Sequence, residues 1–259
     1  MTTQAVHPLV SYAKALERQM EAVSNNLANV DTTGYKQDQP AFQQVFAQTM
    51  GVASTNDEEQ FFHLEHLPPY SGRGQNFVAI ADMGKDFSQG QLKTTDNKLD
   101  FGLADKNSFF SISTPQGERF TRAGNFRLTP NHELINAEGF IVSGKEGPLK
   151  LDGNDVEATE DGTLMVDGKT VGGLKIVTFP YPERLQKMGN SQFAPVDVEN
   201  APRIQENVKL KQGVLENSNV DSMKEVVRMI EVNHAYTSMQ KAIASEDEIN
   251  KKAITLAEV

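Results

Sequence analysis

Residues 9–36 read LVSYAKALERQMEAVSNNLANVDTTGYK, and the spacing of their apolar side chains decides how the fold begins. Leu9, Ala13, Leu16, Met20, Val23, Leu27 and Val30 follow one another at gaps of 4, 3, 4, 3, 4 and 3. That is a heptad seam, the period of a helix laid along another helix. Lys14, Glu17, Arg18 and Glu21 lie off the seam. Pro8 suits a first helical turn, and Asn29, Asp31, Thr32, Thr33 and Gly34 supply the turn chemistry that ends the helix.

The other end of the chain repeats the pattern. Met229, Val232, Tyr236, Met239 and Ile243 step by 3, 4, 3 and 4, and Ile249 and Leu256 carry the stripe on past a polar break at Glu246. Residues 214–259 contain no Gly or Pro, so the spacing predicts one long helix, with Asn219 or Ser218 as its cap. A lone helix with a greasy seam is marginal in water, and each covered seam residue contributes roughly 1.5–3 kcal/mol. The cover is either the opposite terminal helix or the helices of other copies.

Between the ends the grammar changes. Residues 77–143 alternate apolar and polar over short runs separated by turn residues, as in Phe110-Ser111-Ile112-Ser113 before Pro115-Gln116-Gly117. Similar runs follow at 149–151, 164–166 and 174–179. Short strands at this spacing predict a sandwich-like or barrel-like β domain. The expected class is α+β: long N- and C-terminal helices packing as a coiled-coil-like pair, an intervening β-rich domain, and an extended linker arm. The expected boundaries are 1–35 for the first helix, 36–76 for the arm, 77–200 for the β-rich domain, and 201–259 for a return linker and the last helix.

Composition narrows the function. The chain has 259 residues, no Cys, and a net charge of −10, from 25 Lys and Arg against 35 Asp and Glu. A chain this acidic is poorly suited to gripping phosphate backbones, so no nucleic-acid partner is expected. Without cysteine there is no disulfide framework, thiolate zinc site or Cys nucleophile. No run reaches the ~18 apolar residues of a membrane span, and the first ten residues lack the pattern of a cleaved signal peptide.

Candidate chemistry is thin. His63 and His66 are three apart, but Pro68 and Pro69 argue against a helix there and no third ligand is placed. Gly168-Lys169-Thr170 imitates the end of a phosphate loop, yet Thr163 stands where that loop needs Gly; Asp167-Gly168 reads as a hairpin turn instead. Ser71-Gly72-Arg73-Gly74 lacks the third Gly of a dinucleotide fingerprint. Glu157, Glu160 and Asp161 read as a solvated turn rather than an acid–base pair. His7, His132 and His234 have no visible partner. No catalytic residue, cofactor, metal site or small-molecule substrate is expected.

Three stretches do resemble a known family, the bacterial flagellar rod and hook proteins. Residues 24–36, with Asn25, Asn26, Leu27, Ala28, Asn29, Thr33, Gly34 and Tyr35, are similar to its N-terminal signature. Residues 120–126, Phe-Thr-Arg-Ala-Gly-Asn-Phe, are similar to its aromatic-Thr-Arg segment. Gly213, Leu215, Glu216, Ser218, Asn219 and Val220 match its C-terminal motif. Ala123, Asn131-His132 and Asn233-His234 depart from the usual pattern, and residues 50–74 have no counterpart.

The resemblance implies a structural subunit, not an enzyme. Its terminal helices would polymerise into the torque-transmitting shaft that crosses the periplasm, with other copies and neighbouring rod proteins as partners. Leu9, Ala13, Leu16, Met20, Val23, Leu27, Val30, Met229, Val232, Tyr236, Met239, Ile243, Ile249 and Leu256 would form the assembly interface. It also implies export through the flagellar type III apparatus without a cleaved leader, with Phe42 and Phe46 as the segment that docks at the export gate; two Phe filling a core is the plain alternative. The chain is far shorter than a hook subunit, and residues 144–148, 174–177 and 185–189 lean toward a proximal rather than a distal rod subunit. Rival classes are a peptidoglycan-acting β-domain enzyme with helical anchors, for which no convincing carboxylate pair is visible, and a secreted adhesin or chaperone-like binding module.

Overall fold

The computed structural model describes residues 6–47, 75–153, 155–206 and 208–257. It has one helix at each end, α1 (Val6–Ala28) and α2 (Ser222–Ala257), with strands between. Residues read as the start of an arm form β1 (Gln37–Ala47), which pairs with β2 (Gln75–Asp86) in a two-stranded sheet. Phe42 and Phe46 fall on β1, and their side chains lie outside the described residues. So do residues 48–74, with His63, His66 and Ser71-Gly74.

The chain divides into two compact units. The first holds Met1–Ala22, Pro40–Met83 and Val227–Val259; the second holds Val23–Gln39 and Gly84–Val226. The second unit is the β-rich one. Its strands run β3 (Leu92–Thr94), β4 (Phe101–Leu103), β5 (Ser108–Thr114), β6 (Gly117–Thr121), β7 (Arg127–Leu128), β8 (Leu134–Ile135) and β9 (Ile141–Val142). Then come β10 (Val156–Ala158), β11 (Thr163–Val166), β12 (Lys169–Gly173), β13 (Ile176–Thr178), β14 (Leu185–Lys187) and β15 (Gln192–Pro195). β16 (Arg203–Ile204), β17 (Leu210–Gln212) and β18 (Val214–Glu216) complete it.

A nine-stranded sheet is ordered β14-β15-β6-β5-β9-β8-β7, with β13 pairing β5 and β16 pairing β13. The run read as a strand before Pro115-Gln116-Gly117 is β5, and it turns into β6 with Phe110 opposite Thr121 and Thr114 opposite Gly117. Successive strand side chains point to opposite faces. Phe109 therefore joins Phe120, Val177, Phe179, Leu185 and Phe193 in one cluster, while Phe110 and Ile112 join Phe101, Phe126, Leu134 and Leu164 in a larger one. Both faces of β5 are covered. Asp167 and Gly168, both with positive φ (50° and 77°), turn β11 into β12 as a two-residue hairpin loop. Gly168-Lys169-Thr170 is thus turn and strand, not a phosphate cradle.

The return segment is tied back strand by strand: β17 pairs β4, and β18 pairs β3 with Leu215 opposite Lys93. α2 then runs unbroken, as the absence of Gly and Pro predicts. Its cap is Asp221, not Asn219 or Ser218: Asp221 Oδ1 accepts the backbone N–H of Met223 at 3.1 Å and of Lys224 at 3.3 Å. Asn219 is occupied elsewhere, as described next.

Candidate functional site

The two motifs that lie at opposite ends of the sequence meet in space, and they meet through buried charge. Glu216, at the end of β18, is the centre. Its Oε1 accepts from Lys36 Nζ at 2.7 Å and from the Gly90 N–H at 3.0 Å. Its Oε2 accepts from Arg122 Nε at 2.8 Å and also from Arg122 Nη2. All three charged side chains are essentially sealed from solvent. Lys36 Nζ also donates to the Ser88 carbonyl at 2.6 Å, and Arg122 Nη1 to the Asp105 carbonyl at 2.6 Å. Burial pushes the Lys36 ammonium below its ordinary pKa; Glu216 pulls it back up and Arg122 adds to the lowering.

Around this trio the N-terminal motif closes on itself. Asn26 donates from Nδ2 to the Asp38 carbonyl at 2.9 Å and accepts the Asp38 N–H at Oδ1, also at 2.9 Å. The same Nδ2 reaches Glu225 Oε2 at 3.3 Å, and Gln37 Nε2 donates to Glu225 Oε1 at 2.8 Å. Tyr35 Oη lies 3.1 Å from Asn26 Oδ1 and 3.3 Å from Asp38 Oδ2. Burial, and then the Asp38 carboxylate, hold the Tyr35 phenol well above its usual range. Lys187 Nζ sits 3.7 Å from the centre of the Tyr35 ring and 3.0 Å from Asp38 Oδ2.

Asn219 stitches the C-terminal motif to the N-terminal one. Its Oδ1 accepts the Gln37 N–H at 2.8 Å, and its Nδ2 donates to the Asp86 carbonyl at 2.8 Å. Gly34 has φ +66° and donates its N–H to the Glu216 carbonyl at 2.8 Å; a Cβ there would stand 2.4 Å from the Ala123 nitrogen. Gly213, at φ +71°, hands its N–H to the Asp100 carbonyl. Ser218 Oγ accepts the Val220 N–H, and Val220 is buried. Asn29 donates to the Asn25 carbonyl at 2.8 Å. Thr33 and Leu27 are half-buried, and Ala28 is exposed. The motif residues are thus one junction. Asp38, Lys187 and Glu225 are the members that reading by motif passed over; Lys36 and Arg122 lie inside the stretches 24–36 and 120–126, but motif matching did not pair their charges with Glu216.

The helical seams show a different division. On α1, Leu16 and Val23 are buried, and Leu9, Ala13, Met20 and Leu27 are half-buried, as is Val30 just beyond its end. Ala15 and Ala22 are buried beside that seam. On α2, Val232 is buried and Met229, Tyr236, Met239 and Ile243 are half-buried. Tyr236 Oη donates to Glu17 Oε1 at 2.8 Å, so the two helices touch. Ile249 and Leu256 are exposed. Away from the seam, α2 carries a second apolar stripe at i, i+3, i+4 and i+7: Met223, Val226, Val227 and Ile230, which are 79, 43, 55 and 52% exposed.

No helix of the described residues is long and apolar enough to cross a membrane, and no cluster of potential metal ligands occurs among them. The junction offers no reactive group: its carboxylates are committed to buried donors. Two helices, a β-rich middle, and a buried cluster that joins the N-terminal motif to the C-terminal one define a structural building block.

Comparison with known proteins gives that block its family. A model described as "Flagella basal body rod protein" matches residues 10–36. "Flagellar hook protein FlgE/F/G D1 domain" matches 105–172, and "Flagellar basal body rod FlgEFG protein C-terminal" matches 211–256. The chain belongs to this flagellar rod and hook family and is a structural subunit of the basal-body rod. It is similar to the flagellar basal-body rod protein FlgF of Mesorhizobium japonicum, 28% identical over 95% of this chain and 96% of that one. It is similar also to FlgG of Buchnera aphidicola, 29% identical over 90% and 92%, and to FlgG of Bacillus subtilis, 27% identical over 95% and 96%. FlgF and FlgG match about equally well, so the identities do not choose between the two names.

Proposed function

We propose that the chain polymerises with copies of itself and with other rod proteins through its terminal helices, making a shaft that transmits torque by stiffness. The observation that carries this reading is α2. Its first turns carry two apolar stripes, one covered within the chain and the other bare, and a contiguous bare apolar stripe marks a surface that needs an interior to receive it. Neighbouring subunits supply that interior. The seams of α1 and α2 lie together as a coiled-coil-like pair, which the Tyr236–Glu17 bond supports. Close-packed helices resist twisting because protein interiors have low compressibility.

Two finer readings go with it. Residues 144–148, 174–177 and 185–189 lean toward the proximal end of the rod. Export through the flagellar type III apparatus, uncleaved and with Phe42 and Phe46 as the docking segment, suits a chain with no cysteine and with no long apolar helix among its described residues.

The test is Ile230→Asp. Ile230 is half exposed, so the purified variant keeps its free energy of unfolding to within about 0.5 kcal/mol, while cells carrying it assemble no rod beyond the position of this subunit and do not swim. Normal swimming would contradict the reading.

A further inference from the structure

We propose that Glu225 is a positioning residue: it sets which side of α2 turns inward, and so which side is left bare for another subunit. Met229, Val232 and Tyr236 belong to the covered seam, and one step before them that seam falls on Glu225, with gaps of 4, 3 and 4. A helix turns about 100° per residue, which places Glu225 within about 40° of those three. The same count places it about 100–160° away from Met223, Val226, Val227 and Ile230. The inward side of α2 thus starts with a polar residue, and that residue is only 1% exposed.

Apolar burial does not choose this arrangement over residues 222–232. There the inward side offers Met229 and Val232, while the bare side offers Met223, Val226, Val227 and Ile230. The hydrophobic effect is non-directional and follows area, so in these turns it favours rolling the bare stripe inward. What opposes the roll is directional. Gln37 Nε2 donates to Glu225 Oε1 at 2.8 Å, and Asn26 Nδ2 reaches Glu225 Oε2 at 3.3 Å. Half a turn of α2 about its own axis would break both bonds and set apolar side chains against the two amides.

The donors are themselves held in place. Asn26 is fixed by its pair of 2.9 Å bonds to the Asp38 backbone, and the Gln37 backbone N–H is bound by Asn219 Oδ1 at 2.8 Å. Glu225 therefore meets a preset pair of amides rather than two mobile side chains. A single buried polar residue at a seam position fixes register between paired helices, at a cost in stability. Here the same device fixes the roll of one helix. Only the consequence, that the stripe so presented meets neighbouring subunits, rests on the proposed assembly; the roll is a property of the single chain.

The experiment uses the full chain, diluted until it sediments as a monomer, with one cysteine introduced as Val227→Cys or as Val232→Cys; the chain has no other thiol. The rate of maleimide labelling under native conditions reads exposure at each site. With Glu225 in place, the thiol at 227 is expected to react much faster than the thiol at 232, which replaces a side chain only 4% exposed. Glu225→Ala removes the acceptor without adding a large apolar group to the seam. It is expected to slow labelling at 227 and speed it at 232, so that the ratio of the two rates falls about tenfold as a second roll becomes populated. Loss of a merely structural residue would speed labelling at 232 through local opening and leave 227 fast, so slowing at 227 is the diagnostic change. Glu225→Gln, which still accepts at Oε1, is expected to keep the natural rates. Gln37→Leu deletes one donor and keeps the backbone bond to Asn219; it is expected to shift both rates as Glu225→Ala does, by less, and it decides the matter should Glu225→Ala not fold. Labelling at 227 as fast in the folded variants as in the natural chain would overturn the proposal. These rates do not depend on assembly, which the motility of cells carrying Ile230→Asp tests separately.

Discussion

Glu216 holds the account together at the scale of single residues. It balances two buried cations, and removing one partner of such a set leaves uncompensated charge that costs about 3–5 kcal/mol. Glu216→Ala is therefore expected to lower the free energy of unfolding, measured by urea denaturation, by that much, and Glu216→Gln by less, since an amide still accepts. Equal stability of Glu216→Ala and the natural chain would show that the trio is not a structural clamp. The sequence marks Glu216 as a motif residue but says nothing of its charge partners, because Lys36 and Arg122 are 180 and 94 residues away. Periodicity reads neighbours along a strand or helix; it does not read ion pairs across such separations. The same limit hid Asn219, which looks like a helix cap in sequence and instead binds Gln37 and Asp86.

Among the elements, the turn between α1 and β1 and the start of α2 carry the most information. Gly34 is required there twice, by its positive φ and by the closeness of the Ala123 backbone. Gly34→Ala is expected to cost more than about 2 kcal/mol, combining left-handed strain with a backbone clash. Gly168→Ala, at φ +77°, meets only the strain, since nothing lies within 4 Å of a Cβ there. Thermal unfolding of the two variants compares the effects directly, and equal losses would remove the argument from close approach. Both helices and the hairpins at 115–117 and 167–168 were legible, because each rests on local spacing and turn chemistry; the strands that the return segment forms with β3 and β4 were not, because those pairings are long-range. The bare stripe of α2 was not. A seam counted from Met229 onward follows the covered side, and nothing in the sequence says which of two apolar sides a helix turns inward. Leu16, Val23 and Val232, read as assembly positions, are buried within one copy, so substitutions there report on folding before they report on assembly. Met223, Val226, Val227 and Ile230 are the positions that report on assembly.

For the whole molecule, the N-terminal and C-terminal motifs are fastened together at a buried junction, and apolar surface is left over on the last helix. A subunit whose bare surface meets a different surface of the next copy makes a contact that does not close on itself, and such contacts propagate into helical polymers. This is the claim that separates a rod component from a chain that merely carries two helices. The absence of cysteine permits a clean measurement. Val227→Cys, and in a second strain Ile230→Cys, paired with single cysteines scanned along the exposed side of α1 from Val10 to Glu21, are oxidised in motile cells and run without reductant. Cross-linked species containing two or more copies, formed in intact basal bodies and, in the Val227→Cys strain, lost when Ile230→Asp is added, are the predicted result. Motile cells whose Val227→Cys and Ile230→Cys subunits remain monomeric with every paired cysteine would contradict it.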